Sequence, residues 1–221
     1  MFLLTLLCLG AAADEATVPS DGDNKEIKEG IVSRPRSEPY IDDATGIEFP
    51  PELSGFIKTQ VVKNVNPFYG TVVRYASHEG ACADVYIYTL GQPLNDDLLK
   101  THFQGVLKVI SNLPSTAKNT IKGISMKSQT EASLGARGSI KAQKALFSFD
   151  TSKVGSFDSE LLVFAFRDRV IKLRISSPIG LKEAEVPFDE NLARLCEKAA
   201  DQLPPPEIAP SPTDDAKPAA P

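Results

Sequence analysis

The chain has 221 residues, 42% of them hydrophobic, a length and composition that suit one packed domain with tails. Its net charge of −5 argues against non-specific nucleic-acid binding, which needs a strongly basic surface to neutralise phosphates. That charge is uneven: residues 14–46 and the tail from Pro204 are acidic, whereas residues 47–203 are slightly basic.

From the start of the chain, Phe2 to Leu9 is apolar apart from Thr5, and Ala11-Ala12-Ala13 precedes Asp14. An apolar core followed by Ala-x-Ala reads as a cleavable export signal over residues 1–13, cut after Ala13 and too short to span a bilayer. The expectation is a secreted or periplasmic protein with no transmembrane helix in its mature form. No Lys or Arg precedes the apolar run, so a buried N-terminal helix is the competing reading. Residues 14–46 lack apolar periodicity and are rich in charge, Ser, Gly and Pro, the composition of a flexible acidic leader.

A single α+β domain is expected over residues 47–203. Strand-like runs rich in Val, Ile, Phe and Tyr occupy residues 55–65, 71–76 and 83–90, with Ser77 to Ala81 as a hairpin loop between the last two. Asn95 is a candidate N-cap for a helix whose apolar stripe is Leu99, Phe103, Val106, Leu107 and Ile110. Residues 114–120 read as a short helical piece. Further strands follow over residues 124–134, 139–149, 157–166 and 170–176, with turns at Gly135–Gly138 and Arg167–Arg169. A second helix begins at Asp189, carries Leu192, Leu195, Cys196, Ala199, Ala200 and Leu203, and ends before Pro204-Pro205-Pro206. Residues 204–221, rich in Pro and Ala, read as an extended, solvated tail.

The run from Phe157 to Phe166 decides the architecture. Leu162, Phe164 and Phe166 have one parity, while Leu161, Val163 and Ala165 have the other. A sheet with one wet face would alternate apolar with polar residues, so this strand lies where both faces are covered. The reading is a mostly antiparallel sheet of about six or seven strands with helices packed on it, an α/β/α sandwich. Phe49-Pro50-Pro51 with Gly55-Phe56, the strand Asp84 to Tyr88, and the strand Ile171 to Ser176 before the last helix resemble the Mog1/PsbP-like superfamily and exported bacterial proteins of that layout. The resemblance covers roughly residues 47–203 and implies the fold. Members include a nuclear-transport factor that binds a small GTPase and an extrinsic photosystem subunit, but no functional motif matches position by position, so no site residue is carried over.

Chemistry is sparse. The two histidines, His78 and His102, are isolated from one another in sequence, and the spacings that hold metals, phosphates or an activated serine are missing. No catalytic residue, metal or cofactor is expected. Cys82 and Cys196 would be an even pair in an oxidising compartment, with two separate buried thiols as the alternative. Two constellations stand out. Asp84, Tyr86 and Tyr88 share one parity, with Tyr75 on the hairpin partner, and tyrosines offer flat area with a hydrogen-bonding tip. Lys118, Lys122, Lys127, Arg137, Lys141 and Lys144 form a basic band, with Lys172 and Arg174 on a neighbouring strand, suited to an anionic partner. The candidate ligand or partner surface is therefore Tyr75, Asp84, Tyr86, Tyr88, Lys172 and Arg174. The function expected is a non-enzymatic binding or accessory domain of the cell envelope, its partner an envelope protein or a small anionic ligand. The alternative is an enzyme, a hydrolase with a carboxylate and tyrosine site.

Overall fold

The structure, a computed structural model, describes residues 37–64, 69–113, 121–136, 138–152, 155–179 and 187–202. The export signal, residues 14–36 of the leader, the helical piece at 114–120, Lys118, Arg137, Leu203 and the proline-rich tail lie outside the described residues.

Two short strands, β1 (Tyr40–Ile41) and β2 (Glu48–Phe49), pair with each other. The other strands are β3 (Glu52–Leu53), β4 (Phe56–Lys63), β5 (Thr71–Ala76), β6 (Cys82–Tyr88), β7 (Ile121–Leu134), β8 (Ile140–Thr151), β9 (Gly155–Phe166) and β10 (Arg169–Pro178). They form one 8-stranded sheet in the order β3-β4-β5-β6-β10-β9-β8-β7, antiparallel at every step. Helix α1 (Asp96–Ser111) carries the chain from β6, at the middle, to β7 at the far edge. The strands then meander back until β10 closes on β6, and α2 (Phe188–Gln202) follows. The sheet gains one strand over the sequence reading: β3, two residues long, joins β4 through a turn at Ser54 and Gly55 with φ of 53° and 77°. Positive φ at both central residues gives the hairpin turn whose twist matches the strands it connects.

Helix α1 starts where its cap chemistry places it: Asn95 Oδ1 accepts from the Leu98 N–H at 2.8 Å, with Asp96 and Asp97 in the first turn. Its buried stripe, Leu99, Phe103, Leu107 and Ile110, packs with Ala145, Phe147, Leu161 and Val163. On the other face α2 buries Phe188, Leu192, Cys196 and Ala199 among Val73, Val85, Leu162, Phe164, Ile171 and Leu173. Strand β9 is thus covered on both sides, each large side chain contributing about 1.5–3 kcal/mol by leaving water. Cys82 and Cys196 form no disulfide. Cys82 pairs with Ala76 and Ser176 on the α1 face, whereas Cys196 belongs to the core beneath α2.

The folded body begins earlier than Ile47. Residues 37–46, grouped with the leader on composition, form a strap that packs with the core. Tyr40 is 2% exposed and stacks on Phe49 with ring centroids 6.2 Å apart. Buried Asp42 accepts from the Thr45 N–H at 3.0 Å and from its hydroxyl at 2.8 Å, closing the turn. Lys58, 1% exposed, donates its ammonium to the carbonyls of Glu38 and Phe49. Polar spacing concealed this strap, because its buried polar groups satisfy one another locally.

Candidate functional site

Strand register assembles a polar cluster on the α1 face, beside the helix. Asp84 on β6 lies opposite Arg74 of β5 and Arg174 of β10, and Tyr86 lies opposite Lys172. Side chains opposite one another on a pleated sheet share a face, so Arg74, Asp84, Tyr86, Tyr88, Lys172 and Arg174 all project the same way. The Lys172 ammonium stands 3.9 Å from the Tyr86 ring centre and 5.8 Å from that of Tyr88. The Tyr86 hydroxyl donates to Asp84 Oδ2 at 3.4 Å, and Tyr88 Oη is hydrogen-bonded to His102 Nε2 of α1 at 2.6 Å. The Arg174 guanidinium lies 5.1 Å from the centre of the Phe149 ring, its Nε donating to Ser159 Oγ at 3.2 Å. Arg74 is held at its far end, Nη1 donating to Gln60 Oε1 at 2.9 Å.

Among the described residues, three cations therefore share one carboxylate. The Asp84 side chain is 8% exposed and that of Arg74 22%, and their nearest atoms, Oδ1 and Nε, are 3.7 Å apart. That is an ion contact without a hydrogen bond, and neither atom has a hydrogen-bond partner among the described residues. Burial raises the Asp84 carboxyl above its ordinary range, opposed by Arg74 and Arg174. Burial, with Arg174 close by, pushes the Lys172 ammonium down to about 8, against some support from Asp84. Burial likewise raises the Tyr88 phenol and lowers His102, the latter helped by the charge of Lys172.

Five of the six residues singled out in the sequence come together here. Tyr75 does not: it lies opposite Ala83 on the α2 face, edge-on to Phe188 at 5.4 Å, with its hydroxyl donating to Pro50 O at 2.8 Å. The loop from Ser77 to Ala81 sets a register in which Arg74, not Tyr75, shares the face of Asp84. Arg74 and Gln60 are not among the sequence candidates, and His102 is there only as an isolated histidine, although Arg74 is found by counting back across that loop. Two of the four described lysines of the basic band are paired with carboxylates. Lys127 bonds both oxygens of Asp158, at 2.8 and 2.9 Å, and Lys144 bridges Glu160 at 2.8 Å and Asp189 at 3.3 Å. Lys172 and Arg174 belong instead to the cluster around Asp84. Among the described residues no group of three or more His, Cys, Asp or Glu is placed to hold a metal ion, and no helix is long and apolar enough to cross a membrane.

No protein-family model and no curated protein matches the chain. Among solved structures it is similar to the solution structure of cyanobacterial PsbP (CyanoP) from Synechocystis sp. PCC 6803, with a TM-score of 0.42 and 13% sequence identity, over 72% of this chain and 86% of that one. A likeness of that degree carries no site residue and no role to this chain.

Proposed function

We propose that the protein is an exported, non-enzymatic accessory domain of the cell envelope that binds a small anionic ligand on the α1 face of its sheet. The observation that carries this reading is the charge imbalance of the cluster: among the described residues Arg74, Lys172 and Arg174 surround Asp84 alone, in partly buried positions. Cations withdrawn from water without a counter-charge are costly, and an anion placed among them offsets that cost. Export is supported by the apolar run and Ala-x-Ala of residues 1–13.

The test is a thermal-unfolding titration at low ionic strength with phosphate and with small carboxylates. A ligand that binds the folded state raises the midpoint as its concentration rises. The expected result is such a rise in the unaltered protein, largely lost in Arg174→Gln once its circular dichroism shows an intact fold. If no anion moves the midpoint, or if Arg174→Gln responds like the unaltered protein, the reading is wrong.

A further inference from the structure

We infer that the ligand of this site is a hydroxy-carboxylate, whose carboxylate meets Arg174 and Lys172 while a neighbouring hydroxyl donates to Asp84 Oδ1 and accepts from Arg74 Nε. The inference rests on the anion-site reading above and goes beyond it by naming the chemical class. The reason lies in the two unsatisfied atoms. Asp84 Oδ1 is buried and needs a donor, and Arg74 Nε is buried and needs an acceptor. At 3.7 Å they do not satisfy each other. Sulfate or a simple carboxylate brings acceptors and negative charge: it suits the cations, is repelled by Asp84, and leaves Oδ1 unmade. A hydroxyl is both donor and acceptor, so one such group completes both atoms.

The arrangement around the pair fits that task. Arg74 is the more exposed partner, 22% against 8%, so a ligand approaches the pair from its side. Asp84 is steadied from the other side by the Tyr86 hydroxyl on Oδ2, which leaves Oδ1 as the acceptor. Lys172 and Arg174 occupy register positions two residues apart on β10, opposite Tyr86 and Asp84. A carboxylate lying against them therefore sits within one residue repeat of the unsatisfied pair. Two sources present this chemistry: a free hydroxy acid, and a uronic acid unit of an acidic polysaccharide.

The test compares lactate with propionate, two acids that differ by one hydroxyl, by calorimetric titration of the unaltered protein at low salt. Sulfate, which carries no proton near neutral pH, serves as the hydroxyl-free inorganic reference. Lactate is expected to bind about tenfold tighter than propionate, the worth of one hydrogen bond to a charged group. In Asp84→Asn that preference shrinks, while sulfate binds more tightly because the repelling charge is gone. If lactate, propionate and sulfate bind equally to the unaltered protein, the hydroxy-carboxylate inference is overturned and the anion site stands. If none of them binds, both fail together. Galacturonate against its trimer separates the sources: a tighter trimer supports the polysaccharide unit, equal affinities support the free acid, and failure of both while propionate binds contradicts the inference. The lactate and propionate comparison needs no variant, so misfolding of Asp84→Asn leaves the test intact.

Discussion

Tyr75 and Arg74 are chain neighbours with opposite fates. Tyr75 was the candidate for the polar face and Arg74 is the residue found there, and what separates them is one position of register. Tyr75 turned inward is an anchor: its phenol is raised by burial, and it holds the carbonyl of Pro50 where the chain leaves the strap. Tyr75→Phe is therefore expected to cost about 1 kcal/mol of unfolding free energy, the net worth of a buried hydrogen bond. Urea denaturation measures this cost. Lactate affinity should be unchanged, since the hydroxyl lies on the other side of the sheet. A change in affinity without a change in stability would return Tyr75 to the ligand surface. The chemistry of the site was legible in the residue types of Asp84, Tyr86, Lys172 and Arg174. Its membership was not, because a tyrosine suits a core edge and a binding face equally well.

Elements came through the sequence where periodicity was long and both partners were local. The stripe of α1, its Asn95 cap and the doubly apolar run of β9 are patterns internal to one segment, and each sits where its pattern requires. The irregularities did not come through. A bulge at Thr59 in β4 pairs Lys58 with Tyr75 but Gln60 with Arg74, sending two residues of like parity to opposite faces. No alternation rule anticipates that, since the extra residue is visible only against the partner strand. Backbone proximity is equally hidden: Gly70, at φ +59°, approaches β6 so closely that a Cβ there would lie 1.8 Å from Ile87 O. Gly70→Ala combines a positive φ with that collision, and is expected to destabilise the protein by about 3 kcal/mol or more. Thermal unfolding checks it, and a change within a few tenths of a degree would show that β5 and β6 part more readily than their register implies.

At the scale of the molecule, one face of the sheet is spent on stability and the other is divided. The α2 face is a continuous apolar layer sealed by the strap, and the α1 face is apolar under the helix and polar beyond it. The division follows from α1 covering β8 and β9 while β5, β6 and the middle of β10 carry Arg74, Asp84, Tyr86, Lys172 and Arg174. Export belongs to this scale too. Mass spectrometry of the protein from its secreted or periplasmic fraction is expected to find Asp14 as the first residue, and an uncut chain retained in the cytoplasm would remove the envelope from the account.

The charge of Lys172 joins stability to binding. With its folded value near 8 and its ordinary value at 10.5, the folded protein releases this proton first, so stability from this group rises as pH climbs from about 8 to 10.5. Below pH 8 the ammonium is buried at a cost, and a bound carboxylate repays it. Anion affinity should therefore fall as pH rises through about 8. The most direct test follows the Lys172 ε-methylene by NMR through a pH titration, with and without lactate. The account predicts a midpoint near 8 that moves upward when lactate is present. A midpoint at the ordinary lysine value, unmoved by lactate, would contradict it.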